Sequence, residues 1–191
     1  MLRRMSTDFG RHRLLPHPVS EPGAIQGLVE DLSVDVTRLD GKLVLLYRLT
    51  GELEALRLPE PRPSSRTDGL WRHTCFEAFI GRVGATEYWE YNFSPSGAWA
   101  AYHFTAYREG MEPLMKGAPP LLRLHAGEEQ MQLEVTVDLS WLSRSSADAG
   151  LRLGLSAVIE DRAQVLTYWA LKHPGEKPDF HHADGFVVEL G

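Results

Sequence analysis

Residues 70–107, LWRHTCFEAFIGRVGATEYWEYNFSPSGAWAAYHFTAY, decide the fold. They hold three of the five tryptophans and four of the six tyrosines, so aromatic bulk is concentrated here. Aromatic and β-branched residues suit a pleated, half-buried surface, and the Gly, Pro and Ser breaks suit tight turns. Gly81 to Ala85 is one turn region and Ser94-Pro95-Ser96-Gly97 the other. Three strands are predicted, over about 70–80, 87–93 and 98–107.

Side chains alternate faces along a strand. In the middle strand Trp89, Tyr91 and Phe93 share one face, while Tyr88, Glu90, Asn92 and Ser94 share the other. In the first, Phe76, Ala78 and Ile80 oppose Trp71, His73, Cys75, Glu77 and Phe79. Glu77 is therefore an acid in apolar company. A buried carboxylate is costly unless it is paired or hydrogen-bonded. Arg72, a backbone N–H, a histidine or a ligand hydroxyl are the candidate compensators. Glu77, Glu90 and Asn92 with aromatic walls suit a sugar or polyol: apolar C–H faces stack on Trp or Tyr, and hydroxyls seek carboxylates and amides. The bland alternative is a sheet with one wet face and structural hydrogen bonds from Glu77 to loop backbone.

Outside this stretch the same pattern continues. Residues 10–15 read as an edge strand, followed by breaks at Pro16, Pro18 and Pro22. Val34 and Val36 alternate with Asp35 and Thr37, and Asp40-Gly41 is a hairpin signal leading into a partner strand over 42–49. A strand is expected over 52–58 and a loop over 59–69. Residues 108–120 read as a loop or one helical turn, 121–125 and 130–137 as a hairpin, and Asp138 or Ser140 as the cap of a short turn. Leu151, Leu153, Leu155, Ala157 and Ile159 alternate with Arg152, Gly154, Ser156, Val158 and Glu160. Strands over 165–171 and 185–190 finish the chain. About ten or eleven strands and no long helix predict an all-β, antiparallel β-sandwich, with residues 1–191 as a single domain.

The composition is globular, with 43% hydrophobic residues. A net charge of −6, without a basic run, argues against nucleic acid or an anionic membrane as partner. One cysteine allows no intrachain disulfide. Cys75, mid-strand, reads as a buried and inert thiol. The N-terminal MLRRMSTDFG has no apolar run behind its arginines, and no stretch approaches the roughly 18 apolar residues of a membrane span. A cytoplasmic location and a small-molecule partner are expected.

Two stretches, WRHTCFEAFI with YWEYNFSPSGAWAAYHF and TYWALKHPGEKPDFHHADGF, resemble the bacterial DOMON-like domains, a group similar to the family 9 carbohydrate-binding modules. The resemblance covers most of the chain and implies a jelly-roll β-sandwich whose pocket holds a sugar or, in other relatives, a haem. In sugar-binding relatives two tryptophans clamp the ring, and acids and amides hold its hydroxyls. That implies Trp71, Glu77, Glu90 and Asn92 here, with Trp169 as a second wall. In haem-binding relatives a Met and a His are axial ligands, which would select Met111 or Met115 with His103, His173 or His181.

His173, Asp179, His181, His182 and Asp184 form a further cluster. They match no zinc template, and neighbouring His181 and His182 would point to opposite faces of a strand. Backbone hydrogen bonding within a proline-pinned loop is the plain reading; donation from His173 or His181 to the same ligand is another. No nucleophile elbow, P-loop or HExxH occurs. We therefore expect a non-catalytic domain binding a carbohydrate-like ligand through Trp71, Arg72, Glu77, Glu90, Asn92, Trp169, His173 and His181, without a cofactor. A haem- or metal-binding domain is the alternative, then a hydrolase using Glu77 and Glu90, and last a structural or interaction domain in which the aromatics are only core.

Overall fold

The computed structural model describes residues 6–19, 27–142 and 150–190. Pro22 and the first residues of the N-terminal segment lie outside them. The strands are β1 Ser6–Arg13, β2 Leu15–Pro16, β3 Val29–Leu39, β4 Lys42–Gly51, β5 Ser65–Arg66, β6 Cys75–Arg82 and β7 Tyr88–Phe93. They continue with β8 Ala98–Phe104, β9 Glu112–Pro113, β10 Leu121–Ala126, β11 Gln130–Asp138, β12 Leu151–Glu160, β13 Leu166–Ala170 and β14 Val188–Leu190. Three of these fourteen, β2, β5 and β9, are two residues long, too short to leave a periodic signal.

The strands form a β-sandwich. One sheet runs β1-β3-β4-β11-β10; the other runs β2-β13-β12-β6-β7-β8-β5, with β14 beside β12 and β9 beside β8. Among the described residues every pairing is antiparallel except β5 with β8. Asp40 and Gly41 turn β3 into β4 with φ of 48° and 79°, the paired positive values that a tight two-residue hairpin requires.

Alternation places the core. Leu43, Leu45, Tyr47 and Leu49 of β4, with Met131, Leu133, Val135 and Val137 of β11, face inward. They meet Phe76, Ala78 and Ile80 of β6, Trp89, Tyr91 and Phe93 of β7, and Leu153, Leu155, Ala157 and Ile159 of β12. The first sheet leaves its outer face half-buried or exposed along β4 and β11, as alternation predicts. The second sheet is different: every residue of β7 is buried on both faces. Its far side carries a second apolar cluster built on Cys75, Phe79, Tyr88, Ala98, Ala100, Tyr102, Phe104 and Phe186.

Several expectations change. The edge strand expected over 10–15 runs Ser6–Arg13, Pro16 lies in β2 rather than breaking it, and the last strand is Val188–Leu190, preceded by a 3-10 turn at Ala183–Gly185. Residues 52–58 are not a strand: Leu53–Ala55 is a 3-10 turn. Leu53 and Leu56 are both buried at a spacing of three, which one such turn satisfies and an extended strand would not. The first strand of the aromatic stretch begins at Cys75, because Leu70–Arg72 is also a 3-10 turn, entered through Gly69 at φ 77°. Leu70 is buried there and Trp71 projects. The turn is anchored from behind by Glu160, which accepts from Arg57 Nη1 at 2.7 Å and lies 2.8 Å from His73 Nδ1.

Candidate ligand-binding site

The far side of the second sheet holds a cleft of about 590 Å³. Glu77 and Glu90 lie in its floor with Val158. The walls are aromatic: Trp71, Tyr102, Phe104, Tyr168 and Phe180. Arg72, Arg108, Met111, Pro178 and His181 reach the cleft from turns and loops, and Leu166 from β13. Trp71, 38% exposed, meets Tyr102 edge-on, with ring centres 6.4 Å apart.

The floor follows from strand register. Glu77 pairs across with Asn92 and, on its other side, with Ser156; Glu90 pairs with Phe79. The two acids are thus diagonal neighbours on one face, with backbones roughly 7 Å apart. Glu77 is 2% exposed and Glu90 is 6% exposed. Asn92 Nδ2 donates to Glu90 Oε1 at 2.6 Å, and Ser156 Oγ donates to Glu77 Oε2 at 3.4 Å. Burial disfavours the charged forms: the Glu77 carboxyl is pushed well above the usual range, further by Glu90, and Glu90 is pushed up to about 7. Arg72 forms no ion pair with Glu77; its guanidinium lies over the Trp71 ring. Protonation and the Ser156 hydroxyl compensate the buried acid instead.

One side of the cleft is closed by two loops tied together. Arg108 Nη2 pairs with Asp179 Oδ1 at 2.8 Å, and Tyr107 donates from its hydroxyl to Asp179 Oδ2. The Arg108 backbone N–H donates to the Tyr88 hydroxyl, which lies 2.8 Å from His181 Nδ1. His181 packs between Phe79 and Phe104 at 5.1 Å from each, with Nε2 3.9 Å from Glu90 Oε2. Burial lowers its pKa to about 4, so the ring is neutral at ordinary pH.

Of the expected site residues, Trp71, Arg72, Glu77, Glu90 and His181 line this one cleft. Asn92 sits directly behind Glu90 as its hydrogen-bond donor. Trp169 does not reach it: the indole is buried between the sheets and donates to Thr167 Oγ1 at 2.9 Å. Its neighbour Tyr168 faces the cleft instead. His173 lies outside the lining, 2.7 Å from the Leu15 carbonyl and packed against His17, so it fastens a loop to β2. His182 Nδ1 accepts from Asp184 N–H. No group of three or more metal-ligating side chains occurs among the described residues. Of the candidate axial haem ligands, Met111 and His181 both line the cleft, with His181 wedged among aromatic rings and its Nδ1 engaged by Tyr88, whereas Met115 is 83% exposed, His103 stacks on Trp89 and His173 is held by the Leu15 carbonyl. Cys75 is fully buried, with its thiol pushed well up by burial.

Sequence reasoning missed Tyr102, Phe104, Arg108, Tyr168 and Phe180 as wall residues. Tyr102 and Phe104 were reachable, since they continue the alternation that links Glu90 and Asn92 across the β7–β8 ladder. Arg108 and Phe180 are brought in by loops and left no periodic trace.

No family model matches the sequence, and no curated protein matches it. In fold the chain is similar to the crystal structure of a "putative carbohydrate-binding protein" from Bacteroides uniformis ATCC 8492. The TM-score is 0.66 at 15% identity, over 94% of this chain and 84% of that one. The likeness establishes a shared β-sandwich architecture. The chemistry of the cleft rests on its own residues.

Proposed function

We propose that the cleft binds a carbohydrate or carbohydrate-like small molecule without transforming it. The observation that carries this reading is the pairing of an aromatic-walled cleft of about 590 Å³ with two hydrogen-bonding acids in its floor. An apolar sugar face stacks on Trp71 or Tyr168, while Glu77 and Glu90 bind hydroxyls. The resemblance to DOMON-like and family 9 carbohydrate-binding domains supports it, as does the name carried by the Bacteroides uniformis fold relative.

The test is calorimetric titration and thermal-shift screening with a panel of mono- and oligosaccharides. A ligand at a hundred times its Kd should stabilise the protein by about 2.7 kcal/mol. Trp71→Ala should weaken the best ligand by about tenfold or more while leaving the unliganded melting temperature nearly unchanged, because Trp71 is a partly exposed turn residue. Unaltered affinity in Trp71→Ala would remove the aromatic wall from the reading.

A hydrolase is the second reading, favoured by one observation: Glu90, with its pKa raised to about 7, has the character of a general acid beside a second carboxyl. It predicts turnover of a glycoside that Glu90→Gln abolishes. Binding without turnover decides for the first.

A further inference from the structure

The acids in the cleft floor are short of partners. Glu90 Oε1 accepts from Asn92 and Glu77 Oε2 accepts from Ser156, and no hydrogen bond from any described residue reaches Glu77 Oε1 or Glu90 Oε2. Both side chains are more than nine-tenths buried, and both line the cleft. Their surroundings offer little positive charge. Cys75, Tyr88 and Tyr102 approach from β6, β7 and β8, and Ser156 from β12; none is cationic. Tyr47 reaches from the other sheet only to the Glu77 carbonyl. From the loops, Arg108 is ion-paired with Asp179 although its charge still favours the ionised form of Glu90, His181 is neutral with Nε2 3.9 Å from Glu90 Oε2, and Arg72 lies over Trp71. The walls add five aromatic rings, whose faces attract cations.

Two partner-poor carboxyls beneath an aromatic box suit an ammonium group better than a hydroxyl. We propose that the ligand is an amino sugar with a free, positively charged amine, and that the amine seats on Glu77 and Glu90 against the aromatic walls. The proposal rests on the carbohydrate reading and names the substituent that the floor selects. An amine supplies the missing counter-charge and several N–H donors, whereas an N-acetylated amine supplies one donor and no charge. Binding then favours the ionised acids over their protonated forms, so it releases protons and strengthens as pH rises.

The probes are glucosamine, its N,N,N-trimethylated derivative with a fixed charge, N-acetylglucosamine, glucose, and choline as a cation without a sugar. Each is titrated calorimetrically at about pH 5.5 and about pH 8, in two buffers of different ionisation enthalpy, so that the protons released are counted. The expected result at the higher pH is at least tenfold tighter binding of glucosamine than of glucose, with the trimethylated sugar, which keeps the charge but has no N–H donors, between the two. That preference should shrink at the lower pH, with proton release measurable. The Glu77→Gln, Glu90→Gln double variant, isosteric and without the acids, should lose both the preference and the proton release. Glucose or N-acetylglucosamine binding as tightly as the charged sugars would overturn the amine assignment and leave carbohydrate binding standing. Choline binding with no sugar bound would overturn the carbohydrate reading, and with it the amino sugar, leaving only a cation site on the two acids. Binding by none of the probes at either pH would overturn both.

Discussion

Raising the pH from about 5 to about 8 should stabilise Glu90→Gln relative to the native protein, by on the order of 3 kcal/mol. The sign follows from proton counting. An unfolded glutamate gives up its proton near 4.5, while Glu90 in the folded protein keeps it to about 7. Between those values the folded state binds more protons than the unfolded state, so native stability falls as pH rises. Each unit of difference is worth about 1.4 kcal/mol. Glu77, also raised by burial, pulls in the same direction. His181 opposes them: its pKa is lowered to about 4, so it contributes stability that is lost as pH falls below its ordinary value of 6.5. The native curve alone is therefore partly flattened in the acid range, and the difference between the two proteins is the informative quantity. It is read from urea unfolding at a series of pH values. Parallel curves for native protein and variant would mean that Glu90 is solvated as an ordinary carboxylate, and the dry floor of the cleft would go with it.

Phe186→Ala should cost about 3–5 kcal/mol, the usual range for emptying a buried aromatic site. The ring is 5% exposed and lies 5.9 Å from Phe79 and 5.8 Å from Tyr88, the residues that back the cleft. It rests on two strands that make room for it. A Cβ on Gly154 would come within 2.7 Å of the ring and one on Gly81 within 3.1 Å, so both strands present bare backbone beneath it. Gly154→Ala should therefore destabilise the native protein by about 1–3 kcal/mol through overpacking. In the Phe186→Ala background the clash is gone, and the same methyl should cost little or even fill part of the void. The double-mutant cycle should thus deviate from additivity by about 1 kcal/mol or more. Additive costs in denaturant unfolding would show that Gly154 is needed for its backbone alone. The Phe186 substitution should also loosen the Phe79–His181 contact, and with it the closed side of the cleft.

Much of this was legible in the chain. The Asp40-Gly41 turn, the alternation of β4, β11 and β12, and the shared face of Tyr88, Glu90 and Asn92 are local patterns read without neighbours. Register across β6 and β7 then placed Glu77 beside that face. Residues 52–58 misled because Leu53, Ala55 and Leu58 offer a plausible alternation, while the backbone follows the burial of Leu53 and Leu56. Trp169 misled for a related reason. A strand with an aromatic on each face, Tyr168 and Trp169, gives no local sign of which one meets the core.

The sequence by itself determined an all-β sandwich, which residues share a face along the longer strands, and an acid pair set among aromatics. These depend on the two-residue period of a strand and on turn chemistry, which act over a few residues. Only the tertiary structure decided what each face meets. It covered the second sheet on both sides, seated Phe186 on Gly81 and Gly154, and sent Trp169 into the core and Tyr168 into the cleft. It also tied Arg108 to Asp179, 71 residues away in the chain, to close one side of the site. Such pairings depend on packing between distant segments, where no periodic signal in one segment records the identity of its partner.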